Sequence, residues 1–354
     1  MIESICPDGG ARRGRSRSWR PGVALMLLVA AAAPFAGPTS PAAATDPAPT
    51  TGWAARPPVQ VARVGLDVAT VNGNILAIGG FDPNQPGVFS SVEARRVDGS
   101  GTWTTVAPMP TARANTAVAT LAGTVYAIGG FTDEQTLDVV EKFDPATGSW
   151  SAGTKLPAPR GAAGAAALGD LLYVAGGLVT VGPDDDEITA SVLAYSPTKQ
   201  TWTSVAPMPT ARWRLRLVAA GGHLYAIGGQ SAKGTTLSTV ERYDPKANVW
   251  TTVASMNQDR GVPGVVAVNH GLDRLIVVVG GCQFANGQRL PFLRSTEVYN
   301  VDTDRWAVLP AQLPGGRCSL GAAAEADGSV LAISGGTDFK DTVIATTEVD
   351  ALKF

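Results

Sequence analysis

Apolar and polar positions alternate over short stretches along most of this chain. Six stretches end on paired glycines, as in LAIGG, YAIGG, YVAGG and IVVVGG. The pairs Gly79-Gly80, Gly129-Gly130, Gly176-Gly177, Gly228-Gly229, Gly280-Gly281 and Gly335-Gly336 are spaced 50, 47, 52, 52 and 55 residues apart. Period-two alternation bounded by turn residues predicts β-strands, and helical periodicity is scarce. A fixed spacing of this size predicts a repeat architecture.

The same frame surrounds each pair. An arginine lies upstream (Arg63, Arg113, Arg160, Arg212, Arg260, Arg317), followed by an apolar run, a turn, a second apolar run and the glycines. A variable loop leads to a strand centred on Glu93, Glu141, Leu193, Glu241, Glu297 or Glu348, and then in five repeats to Trp103, Trp150, Trp202, Trp250 or Trp306. Each tryptophan precedes the next arginine by ten residues, or eleven in the last case. Each unit therefore reads as four short strands. A lone sheet of about 50 residues leaves its faces bare, whereas radial packing covers them, so the expected fold is all-β, a six-bladed propeller. The sixth repeat stops after its third strand, while Trp53 stands ten residues before Arg63 with no repeat ahead of it. Residues 52–59 are thus expected to supply the missing outer strand and close the ring, leaving no open sheet edge. This frame resembles the kelch repeat over nearly the whole of residues 53–354.

Residues 1–44 have a different character. Arg12, Arg13, Arg15, Arg17 and Arg20 precede an apolar run at 23–33, and a Pro/Ala-rich tract leads to Ala42-Ala43-Ala44. That pattern reads as a secretory signal, with 45–52 as a flexible lead-in, and the mature protein is expected to be secreted or periplasmic. The apolar run is too short to span a bilayer. Arg12-Arg13 also suggests twin-arginine export, although the residues after it fit that motif poorly. Removing 1–44 takes away five arginines and two acids, so the formal charge moves from −2 to −5. An acidic domain without a basic stripe is a poor nucleic-acid binder. No cofactor or metal motif is present, and a monomer is expected.

Cys282 and Cys318 remain after cleavage, and the repeat frame brings them near one another on one face of blades five and six. A disulfide is one reading and two buried thiols the other. The six frame arginines read as internal partners of the third-strand glutamates, with Arg160 needing another acceptor where Leu193 replaces Glu. Two and four residues after each arginine the side chains are mostly small, as crowding near the axis requires. Blade four places Arg214 and Arg216 there, and blade one, opposite, places Asp67. These charges, with Asn115 and Trp213 nearby, read either as a site for an anionic group such as a sugar carboxylate or as a buried ion pair plugging the channel. Phe81 and Phe131 read either as exposed stacking platforms or as packing against the next blade. Asp184-Asp185-Asp186-Glu187 reads as a solvated acidic loop, lacking the spaced ligands of a calcium loop. His223 and His270 fall on the opposite rim, as turn residues.

The long, variable loops all follow the glycine pairs and open on one rim, the usual place for recognition on a repeated scaffold. Two functions compete. The first is a non-catalytic module binding protein or glycan through that rim, as the kelch resemblance implies. The alternative is an enzyme of the sialic acid epimerase (mutarotase) type, to which exported kelch propellers are similar, with Asp67 as acid/base beside Arg214 and Arg216. Copper radical oxidases on similar scaffolds need axial histidines that this chain lacks.

Overall fold

The computed structural model describes residues 52–182, 185–285, 288–339 and 342–353. The expected signal at 1–44, most of the lead-in and Asp184 lie outside them. Among the described residues the elements are all strands, and they include six four-stranded antiparallel sheets.

Each sheet is a meander running outward from the axis. Blade one is Asp67–Val71, Asn74–Ile78, Val92–Arg96 and Thr104–Val106. Blades two to five repeat this order from innermost strands Ala117–Leu121, Gly164–Leu168, Arg216–Ala220 and Gly264–His270. Blade six takes three strands from the carboxyl end, Gly321–Ala324, Val330–Ile333 and Val349–Leu352. Its outer strand is Ala54–Arg56, with Ala54, Ala55 and Arg56 opposite Ala351, Asp350 and Val349. Glu325, nearly buried, faces Arg56 at 3.5 Å and Arg95 of blade one at 2.9 Å. One carboxylate therefore ties the first strand, the last blade and the first blade together.

Two cycles of backbone hydrogen bonds close the ring. The second residue of each glycine turn donates to the carbonyl of the next blade's arginine, from Gly80 to Arg113 through to Gly281 to Arg317, and Gly335 returns to Arg63. Nearer the axis, Asn115 donates to Gly65, Ala162 to Asn115, Arg214 to Ala162, Val262 to Arg214, Ser319 to Val262, and Gly65 to Ser319. All six of these residues are left-handed, with φ between 46° at Val262 and 64° at Gly65. That conformation is costly for a β-branched residue. Val262 is held in it because the girdle needs an identical turn from each blade.

At the glycine turns a side chain has no room. A Cβ on Gly79 would stand 2.5 Å from the Arg113 carbonyl oxygen, and one on Gly80 would stand 2.7 Å from that of Val64. In blade six the turn is Ser334-Gly335, not Gly335-Gly336. Ser334 and Gly335 have φ of 56° and 103°, matching 62° and 99° at Gly79 and Gly80. Gly336 pairs with Cys318 as Phe81 pairs with Val64. The Ser334 hydroxyl occupies its space by bonding Arg63 O at 2.9 Å.

The core lies between blades. One cluster joins Leu275, Val277 and Leu309 of blade five to Leu320, Val330 and Leu352 of blade six, with Trp53 packed against it. At the perimeter Trp103, Trp150, Trp202, Trp250 and Trp306 each donate the indole N–H to the preceding blade's exit segment, as in Trp150 to Ala107 O at 2.9 Å and Trp202 to Thr154 O at 3.0 Å.

Candidate functional site

The frame arginines are wholly or almost wholly buried and face carboxylates: Arg63 with Glu93 at 2.6 Å, Arg212 with Glu241 at 2.9 Å, Arg260 with Glu297 at 2.5 Å, and Arg113 with Glu141. Each also caps backbone carbonyls, Arg63 reaching Gly79 O and Ser91 O. In blade six the partner is Asp350, not Glu348, because the strand Val349–Leu352 puts Asp350 in the register position of Glu93. Glu348 is exposed, giving Arg317 a hydrogen bond through its carbonyl and only a through-space charge from its carboxylate. In blade three Arg160 donates to Gly176 O, Ser191 O and the Ser191 hydroxyl. Burial without a carboxylate lowers its pKa to about 10. These arginines build blades and present no anion site.

Asp67 and Arg216, from opposite blades, meet at the axis with Oδ1 and Nη1 3.2 Å apart and side chains 19% and 14% exposed. Arg216 also donates to Pro263 O at 2.8 Å and Leu320 O at 3.0 Å, while Asp67 accepts from the Val118 and Val68 amides. The two side chains thus span the channel, contacting five of the six blades between them. The cavity around them is about 80 Å³, room for a few waters and well below the roughly 300 Å³ where ligand pockets begin. Burial pushes the Asp67 carboxyl above the usual range, although Arg216 and the two amides pull it down. Of the two readings for these charges, the geometry matches the buried plug.

Arg214 does not join Asp67. It is buried toward the rim carrying the post-glycine loops, here the upper rim. Its guanidinium lies 4.1 Å from the Trp213 ring centre and 5.9 Å from that of Phe284, and donates to Gln230 Oε1. Asn115 is a girdle residue, half-buried at the channel mouth. Phe81 and Phe131 are 4% and 3% exposed and present no stacking face. Each forms a bridge back to the segment leading into its own blade's first strand, which turns the ring inward. Phe81 packs on Val64 and Ala114, and Phe131 lies over Gly161, where a Cβ would be 2.3 Å from the ring. Cys282 and Cys318 form a disulfide with Cα atoms 5.1 Å apart, tying blade five's loop to blade six's entry strand.

Sequence reasoning missed what the upper-rim loops do. Three of them fold into extra hairpins: Leu178–Gly182 with Asp185–Ile188, Phe284–Ala285 with Gln288–Arg289, and Gly336–Phe339 with Thr342–Ala345. The last two are joined by Arg289 and Asp338 at 3.2 Å, with Asp338 also accepting from the Phe292 amide. Val181, Leu290 and Ile344, on or beside these hairpins, are 57%, 40% and 38% exposed. The signal was present as apolar residues in loops that solvation alone would leave polar. Among the described residues, no group of three metal-ligating side chains occurs and no helix is long and apolar enough to cross a membrane.

Residues 125–350 match the family model described as Attractin/LZTR1 beta-propeller. Kelch-like protein 34 of Homo sapiens is 32% identical over 164 residues, covering 42% of this chain and 23% of that protein. Kelch-like protein terF of Aspergillus terreus is 32% identical over 168 residues, covering 45% and 35%. The chain thus spans about a third or less of the length of these relatives. The solved structure titled "Structure of YjhT" superposes with a TM-score of 0.67 at 18% identity, covering 84% of this chain and 96% of that one, a likeness of fold.

Proposed function

Because the chain belongs to the Attractin/LZTR1 β-propeller family of kelch-repeat proteins, whose fold is that of a protein-interaction module, we propose that it is an exported, non-catalytic protein-binding module acting through its upper rim. The observation that carries this is the set of three hairpins raising Val181, Leu290 and Ile344 into solvent on one face. Apolar side chains held up by a rigid scaffold are the kind of surface that a protein partner covers. A glycan reading would need exposed aromatic platforms, and Phe81 and Phe131 are buried while the half-buried Trp213 carries the Arg214 guanidinium on its ring. The Asp67–Arg216 ion pair and the small cavity around it favour a buried plug over the acid/base role that an epimerase reading gives Asp67. Export is supported by the arginine-led apolar run before Ala42-Ala43-Ala44 and by the Cys282–Cys318 pairing, since disulfides persist in oxidising compartments.

The test is capture from the extracellular fraction of the producing cells by immobilised chain. The Val181→Asp, Leu290→Asp, Ile344→Asp triple variant should lose the captured protein, while Leu272→Asp on the lower rim should retain it. Retention by the triple variant would overturn the reading, as would binding confined to a glycan array.

A further inference from the structure

The lower mouth of the channel departs from the repeat between blades four and five. The fifth residue of the innermost strand is Val71, Leu121, Leu168 and Val268 in blades one, two, three and five, and Glu325 holds the corresponding place in blade six. In blade four it is Ala220, followed by Gly221-Gly222. In blade five the inner hairpin runs further than elsewhere. Its strands Gly264–His270 and Asp273–Val279 have seven residues each against five in blade four, which adds Asn269 and Arg274 beyond the usual end.

These departures act on one spot. The missing side chain at Ala220 leaves a cavity of about 300 Å³, walled by Ala219, Ala220, Ala267, Val268 and Leu275, with Asn269 and Arg274 at its lip. Arg274 is held by Asp302, to which its Nε and Nη2 donate. Its Nη1 edge lies toward Gly221, where a Cβ would stand 2.8 Å from that nitrogen. The glycine therefore makes room for the guanidinium, as the alanine makes room for the cavity. The cavity opens to solvent, with Ala219, Ala220, Ala267 and Val268 half-buried, and in a repeat protein the neighbouring blades show which residue would narrow it.

We propose that this pocket binds a short aliphatic carboxylate. The chain of the ligand would lie against the alanines and Leu275 in the space that Leu121 and Leu168 fill in their own blades, and its carboxylate would take the second edge of the Arg274 guanidinium. A guanidinium carries five donors in a fixed fork and can serve two carboxylates at once. The volume falls at the lower end of the range for small-molecule sites, roughly 300–1,000 Å³.

The test is a ¹⁵N–¹H NMR titration of the purified chain with hexanoate, with hexanol as the uncharged probe. Hexanoate should give saturable shifts at Ala219, Ala267 and Leu275, and hexanol weaker ones at the same amides. Arg274→Gln, on an exposed ion pair that folding does not need, should weaken hexanoate about tenfold and leave hexanol unchanged. Ala220→Leu, which restores the residue of blades two and three, should abolish both. Hexanoate shifts that fail to saturate, that persist in Ala220→Leu, or that equal those of hexanol in the unaltered chain would overturn the proposal.

Discussion

At the scale of single residues, the buried arginines decide most of the energetics, and their partners are not interchangeable. Asp350→Ala leaves Arg317 buried without a carboxylate and is expected to cost about 3–5 kcal/mol, whereas Glu348→Ala, on an exposed side chain, should stay within about 0.5 kcal/mol. Urea unfolding of the two variants checks this, and equal effects would refute the register assigned to the last strand. Arg160 gives a pH test. Its folded pKa of about 10 lies below the unfolded value, so the folded state binds fewer protons between the two and its burial penalty is relieved as pH rises through that window. The stability gap between the wild-type chain and Arg160→Met is therefore expected to move in favour of wild type above about pH 10. For Asp67 the direction is reversed. Its carboxyl titrates above the unfolded value, so its contribution to stability falls as pH rises through the folded pKa. Carbon-detected NMR should show that raised pKa, and Arg216→Met should raise it further, because the Arg216 charge pulls it down alongside the Val68 and Val118 amides.

At the scale of elements, the short strands were legible because their alternation is strict and the punctuating residues recur. The sixth repeat shows where that reading stops. Ser334 stands in a left-handed turn that the other blades give to glycine, and a literal Gly-Gly search slides one residue along, to Gly335-Gly336. Counting from that pair also hides Asp350 behind the exposed Glu348, which only strand register corrects. Phe81 and Phe131 follow the same turn, and no local pattern says that the bridge to the segment leading into their own blade's first strand turns the ring inward. The girdle was invisible because its six members, Gly65, Asn115, Ala162, Arg214, Val262 and Ser319, share a backbone conformation and no side-chain chemistry. The closing strand was legible through Trp53, which packs against the cluster joining Leu309 of blade five to Leu352 of blade six. Trp53→Ala is expected to cost about 3 kcal/mol in calorimetry, the range for losing a packed aromatic. A change within about 0.5 kcal/mol would mean that the strand is not docked.

At the scale of the whole molecule, closure turns six marginal sheets into one scaffold and places the loops between strands on its two rims. The axis is filled by Asp67 and Arg216, the blade interiors by arginine–carboxylate pairs, and what remains available is the upper-rim hairpins and the lower-mouth cavity. Both assignments depend on the first strand lying beside the last. Ala54 and Ala351 are directly opposed, so the Ala54→Cys, Ala351→Cys variant tests that arrangement directly. Peptide mapping by mass spectrometry under non-reducing conditions should find these two cysteines joined within one chain, with a raised unfolding temperature. Free thiols at both positions, or crosslinks only between chains, would contradict the closed ring and the placement of every loop that follows from it.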